Sequence, residues 1–183
     1  MPMLRIAVIG AECTGKTTLC RELAHDRGGL WVPEYLREFV DAAGRPPLAH
    51  EQAALMAEQV AREDAALRTA ETARHAIVAF DSVPLATALY SRLYFDDDSL
   101  LAAATTHHGR YDLTIVTDID LPWEADGLQH DGPDIRARFH DLLLGWLDAQ
   151  ALDYTPIHGS GRSRLQRAVA ALLDVTEAKR PAR

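Results

Sequence analysis

The sequence predicts an α/β fold, a parallel five-stranded sheet with helices on both faces. Three observations carry that expectation. Five short apolar runs alternate with stretches of helical period. The first run opens into a glycine-rich turn, Gly10-Ala11-Glu12-Cys13-Thr14-Gly15-Lys16-Thr17, with an amphipathic stretch behind it (Leu19, Leu23). The 183 residues are enough for a single core, with no repeat, low-complexity tract or linker to divide them. The expected organisation is one domain over residues 1–175 and a frayed tail over 176–183.

The strands follow in order: Leu4–Ile9, Leu30–Val32, Ala76–Phe80, Leu113–Thr117 and Asp153–Ile157. The first helix starts in the glycine-rich turn and ends near Gly28-Gly29. A short helix from Glu34 stops before Gly44, and Pro46-Pro47 marks a loop. His50 to Arg74 reads as one helix with Met56, Val60, Leu67 and Ala70 on its apolar face. Pro84 suits the first turn of a helix carrying Leu85, Leu89 and Leu93. Asp96-Asp97-Asp98 breaks that pattern, and Ser99 is the expected cap of the next helix. After a polar loop from Asp118 to Pro133 comes a helix with Phe139, Leu142, Leu143, Trp146 and Leu147 at i, i+3, i+4, i+7 and i+8. Gly159-Ser160-Gly161 leads into a last helix with Leu165, Val169 and Leu172.

G-x-x-x-x-G-K-T between a strand and a helix is the pattern of a P-loop. Gly10 and Gly15 let the backbone curl so that successive N–H groups face phosphate oxygens, beside the positive end of the helix dipole. Gly10, Glu12, Cys13, Thr14, Gly15, Lys16, Thr17 and Thr18 are therefore the expected nucleotide-binding set. Lys16 would reach the β- and γ-phosphates, and the Thr17 hydroxyl would ligate Mg²⁺.

Ligands of open α/β sheets bind past the carboxyl ends of the strands, so the residues there are the remaining candidates. Asp81 ends an apolar strand, where a carboxylate holds Mg²⁺ directly or through water; capping the helix before Pro84 is its other use. Glu34, Arg37 and Glu38 place two carboxylates and a guanidinium within five residues. One carboxylate could take a proton from an acceptor hydroxyl while Arg37 neutralises phosphate, or the group is a solvated charge cluster. Trp123, after Pro122, is either a lid over an aromatic base or a plug over the sheet edge. Arg136 and Arg138 stand where a phosphate-closing lid would put an arginine, or on solvated surface. Arg162, Arg164 and Arg167 gather near one loop, which suits a nucleotide, with Arg162 the expected contact. His107, His108 and His140 show no partner spacing and read as surface residues.

A net charge of −8, spread along the chain, argues against a nucleic-acid surface. No apolar stretch approaches the ~20 residues of a membrane span. Met1 to Arg5 enter the first strand at once, leaving no room for a signal peptide, and the two cysteines suit reduced thiols in the cytoplasm. A zinc site from Cys13, Cys20 and His25 has no recognised spacing.

Taken in order, the P-loop with its Glu-x-Thr interior, Pro33-Glu34-Tyr35-x-Arg37-Glu38, Phe80-Asp81-Ser82, Tyr111-Asp112-Leu113 and Pro122-Trp123-x-Ala125-Asp126-Gly127-Leu128 resemble one family. It is the ribosylnicotinamide kinase domain of NadR-type proteins, and the resemblance runs from Leu4 to about Leu173. It implies strand order 2-3-1-4-5 and transfer of the ATP γ-phosphate to the ribose 5′-hydroxyl of nicotinamide riboside, with Mg²⁺. Lys16, Glu34, Asp81 and Arg136 would then be catalytic, and Glu34, Tyr35, Arg37, Trp123 and Asp126 would bind the substrate. NadR proteins also carry an adenylyltransferase domain for which these residues have no room, so a stand-alone relative is expected. Another nucleoside is the alternative acceptor. A regulatory, GTPase-like module is the alternative outside kinases, although Thr117-Asp118-Ile119-Asp120 lacks the lysine of N-K-x-D. A motor subunit would need more length and an arginine-finger domain.

Overall fold

β1 (Leu4–Ile9) is the central strand of a parallel sheet, order β2-β3-β1-β4-β5, in a computed structural model that describes residues 3–124 and 132–179. Its partners are β3 (Ile77–Asp81) and β4 (Leu113–Thr117), with β2 (Leu30–Val32) and β5 (Thr155–Ile157) at the edges. The order is the one implied by the resemblance. Around the sheet lie α1 (Lys16–Arg27), α2 (Tyr35–Ala43), α3 (Gln52–Ala73), α4 (Pro84–Phe95), α5 (Leu101–His108), α6 (Gly132–Ala149) and α7 (Gly161–Ala178). Among the described residues, no helix is long and apolar enough to cross a membrane.

The period of two along β1 divides the core. Ile6 and Val8 pack with Leu19, Leu23, Ile115, Ala168 and Leu172 on the α1 and α7 side. Ala7 and Ile9 face Phe80, Leu85, Leu89, Phe139, Leu143 and Leu147 on the other. Both faces are covered, which is why the central strands read as continuous apolar runs. Pro84 opens α4, as expected from its fixed φ and missing N–H.

Several expectations are corrected. β3 runs Ile77–Asp81, one residue later than Ala76–Phe80, because the ladder continues until Asp81 stands beside Val8. β5 begins at Thr155, not Asp153. The end of α6 turns through Ala151 (φ 50°), and the Leu152 amide bonds back to Leu147, so the chain joins the sheet late. Ser99 does not cap α5; its amide donates to Asp97 Oδ1 (2.9 Å) in a local turn, and Leu100 holds the cap position.

The inward stripe of α3 is Gln52, Leu55, Gln59, Glu63 and Ala70, so it is partly polar, and Val60 is only half-buried. The three histidines are not surface residues. His108 is buried and bonds Thr114 Oγ1 (2.9 Å), His107 meets Glu63 (2.9 Å), and the largely covered His140 lies 3.8 Å from Asp118. Periodicity scores polarity, so it misses polar side chains whose partners come from other elements.

Candidate active site

Close approach shapes the turn between β1 and α1. A Cβ on Gly10 would lie 2.2 Å from Thr117 Oγ1, and Gly15 holds φ 75° at the mouth of α1. The Thr14 hydroxyl donates to Ala11 O (2.7 Å) and meets Thr117 Oγ1 at 2.7 Å, pinning the curl to the end of β4. Lys16 Nζ donates to Ala11 O (2.8 Å) across the loop. Thr17 and Thr18 begin α1, Thr18 with its side chain exposed.

A belt of side chains ties this turn to the loop after β4. Trp123 Nε1 donates to Glu12 Oε1 (2.8 Å), and Cys13 Sγ to Glu124 O (2.9 Å). The buried Arg136 donates to Leu121 O (2.9 Å) and Cys13 O (3.3 Å). Arg164, also buried, bonds Thr14 O and pairs with Asp120. Arg136 is thus built into the wall instead of lying on solvated surface. Trp123 stands at the P-loop rim, bonded to Glu12. Arg164, beyond the exposed Arg162 on the first turn of α7, is the arginine that touches the loop; its spacing from the helix start was the signal available for it. Asp126 lies outside the described residues.

β2 and β3 deliver the two carboxylates. Asp81 is 1% exposed, its Oδ1 has no hydrogen-bond partner, and the Thr17 hydroxyl bonds the carboxylate. Burial pushes its pKa up, while Lys16, the Thr17 bond and Arg37 pull it down. Glu34, whose side chain is 17% exposed, also titrates high. Burial is the main cause; Lys16 opposes it, the Asp81 charge adds to it, and Arg37 and a hydrogen bond with Ser82 oppose it. Arg37 Nε stands 3.9 Å from Glu34. Two carboxylates and one lysine therefore share a single field. Tyr35 points elsewhere: its ring lies under the Arg62 guanidinium (4.3 Å) on α3.

A cavity of about 560 Å³ joins the two halves of the site. Gly10, Glu12, Cys13 and Lys16 line one end, and Glu34, Arg37 and Ser82 its middle. The far end is apolar and aromatic: Leu36, Pro46, Pro47 and Leu48 face Ala86, Tyr90, Tyr94 and Phe95 of α4. Tyr90 stacks on Phe139 (3.9 Å between centroids) and on Tyr94 (5.8 Å). The α4 aromatics at i and i+4 were a legible signal that the leucine pattern obscured. The residues suit both a nucleotide and a divalent cation: a backbone cradle closed to any Cβ at Gly10, and a buried carboxylate oxygen with no partner beside a threonine hydroxyl.

A protein-family model described as an AAA domain matches residues 5–164. The chain belongs to that family. Among curated proteins it is similar to the trifunctional NAD biosynthesis/regulator protein NadR of Salmonella typhimurium (strain LT2), 28% identical over 160 residues, covering 83% of this chain and 37% of that protein. A solved NadR protein in complex with NR aligns at TM-score 0.80 and 23% identity, over 99% of this chain and 52% of that one. Deoxyadenosine kinase from M. mycoides with bound dCTP aligns at TM-score 0.60 and 10% identity, over 93% of this chain and 100% of that one. The chain spans about a third of the curated relative and about half of the solved NadR chain. The resemblance to NadR-type proteins thus holds in sequence and in fold, and the fold is that of P-loop kinases of nucleoside type.

Proposed function

We propose that the chain transfers the γ-phosphate of ATP to the ribose 5′-hydroxyl of nicotinamide riboside, giving nicotinamide mononucleotide. One observation supports the reading: a single cavity of about 560 Å³ runs from the P-loop, past the Glu34 carboxylate, to an end lined by aromatic rings. The similarity to NadR supports the choice of nucleoside. Cavity shape alone also accommodates other nucleosides.

The roles follow from position. The P-loop amides and Lys16 would hold the phosphates, with Lys16 giving up its bond to Ala11 O for phosphate oxygen. Thr17 and Asp81 would hold Mg²⁺, which when bound neutralises charge on the phosphate oxygens. Glu34 would accept the proton of the 5′-hydroxyl as the oxygen–phosphorus bond forms and the bond to the β,γ-bridging oxygen breaks. A carboxyl group titrating above its usual range is a better base near neutral pH. Arg37 would neutralise the transferring group, and Arg136 would act through the P-loop carbonyl that it grips. Trp123, at the P-loop rim, would lie over the substrate, and Asp126 would bind it, as the resemblance implies.

Acceptor-dependent turnover tests the reading. ATP hydrolysis by the purified chain should be near background alone and give way to stoichiometric ADP formation when nicotinamide riboside is added. In Lys16→Ala both should vanish while the fold is retained, because Lys16 touches loop and ligand and not the core. Steady hydrolysis without acceptor, unchanged by nucleosides, would favour the regulatory module.

A further inference from the structure

A run of buried polar groups on α3 ends at the backbone beside Glu34. Gln59 and Glu63 are 5% and 1% exposed, unusual for these residue types. Gln59 Oε1 accepts from the Tyr35 amide (2.9 Å), the first N–H of α2, and Gln59 Nε2 donates to Glu63 Oε1 (3.4 Å). Glu63 Oε2 accepts from Tyr111 Oη (2.8 Å) and pairs with His107 Nε2 (2.9 Å). A carboxylate only accepts, so Nε2 carries the proton and Nδ1 is left to accept from Arg110 (3.3 Å). Each link is thereby oriented by the next.

We propose that Gln59, oriented by Glu63, is a positioning residue for Glu34. The Tyr35 amide belongs to the same planar peptide unit as the Glu34 carbonyl, so holding it fixes ψ of Glu34 and the direction of its side chain. Glu34 precedes α2 in extended backbone (φ −66°, ψ 121°), and no side-chain cap from its own segment holds the helix start. Gln59 supplies the missing acceptor from α3. Glu34 and Gln59 also line one small cavity of about 10 Å³ together with Ser82 and Thr87, so they share a packing environment. The inference rests on the assignment of Glu34 to the acceptor hydroxyl.

The test uses Gln59→Met, which keeps the volume and removes both hydrogen bonds, and the transposed pair Gln59→Glu with Glu63→Gln. In the transposed pair the carboxylate at position 59 can still accept from Tyr35. The amide at position 63 can donate to that carboxylate, and its oxygen still faces Tyr111 and His107. Amide hydrogen exchange at residues 35–36 should be about tenfold faster in Gln59→Met, with the KM for nicotinamide riboside up by a similar factor and the KM for ATP within about twofold. The transposed pair should return both readouts towards the parent. Unchanged exchange at residues 35–36, or an equal rise in both KM values, would overturn the proposal. Glu34→Gln separates the two claims. If it leaves acceptor turnover intact, the role of Glu34 falls, while the exchange data still decide whether Gln59 fixes the peptide.

Discussion

Asp81 sits close enough to Glu34 for its charge to raise the Glu34 pKa, yet Asp81 ends β3 while Glu34 leads into α2, and the two are covered differently. Asp81 is sealed and bonded to Thr17, as suits a metal ligand; Glu34 opens on the cavity, as suits a base. Asp81→Asn should raise the Mg²⁺ concentration needed for half activity. Glu34→Gln should lower turnover about 10²-fold or more while ATP binding by calorimetry stays nearly constant. The reverse pattern would reassign both. The raised pKa of Asp81 has a consequence for stability. Its folded value lies above its unfolded one, so its contribution is fully present at low pH and is lost as pH rises through the folded value. At pH 7.5 Asp81→Asn should therefore melt no lower than the parent, which separates its loss of activity from unfolding.

α2 and α4, with the Pro46-Pro47 turn, line the apolar and aromatic end of the cleft, which the proposed function assigns to the acceptor. Tyr90 is fixed between Phe139 and Tyr94, which leaves Tyr94 (41% exposed) as the outer ring. Tyr94→Ala should cost little stability, since the ring is far from fully buried. An aromatic contact is worth about 0.5–1.5 kcal/mol, so the acceptor KM should rise about 2- to 10-fold with ATP kinetics unaffected. Equal loss for ATP and acceptor would move the acceptor elsewhere in the cavity. At the phosphate end, α6 and α7 act through Arg136 and Arg164, which grip P-loop carbonyls and hold the cradle in shape.

At the scale of the whole molecule, the strands and the P-loop were legible because apolar runs and glycine spacing are local signals. Leu4–Ile9 and Leu113–Thr117 needed only their own residues to be read, whereas the start of β5 depended on how α6 turned through Ala151. The places of Asp81, at the end of β3, and Glu34, just beyond β2, were legible from the ends of apolar runs. Gln59, Glu63, Arg164 and the histidines were not, because their burial is compensated by partners from other elements, as far as 150 residues away for Arg164. One of these hidden groups makes global stability depend on pH. Burial, reinforced by His107, holds His108 down to about 4 from an ordinary 6.5. The unfolded chain then binds the extra proton between those values, so this contribution is intact above about 6.5 and fades as pH falls towards 4. The loss is on the order of 3 kcal/mol. Urea unfolding at pH 7.5 and 4.5 should show a smaller drop for His108→Gln than for the parent; equal drops would contradict it.

The phosphorylated product identifies the acceptor. The purified chain, given ATP, Mg²⁺ and an equimolar mixture of nicotinamide riboside, thymidine, uridine and nicotinamide, can be sampled over time by mass spectrometry. Nicotinamide mononucleotide should accumulate first and dominate, with nicotinamide, which lacks the ribose, left unreacted. Phosphorylated thymidine or uridine with nicotinamide riboside untouched would contradict the acceptor assignment.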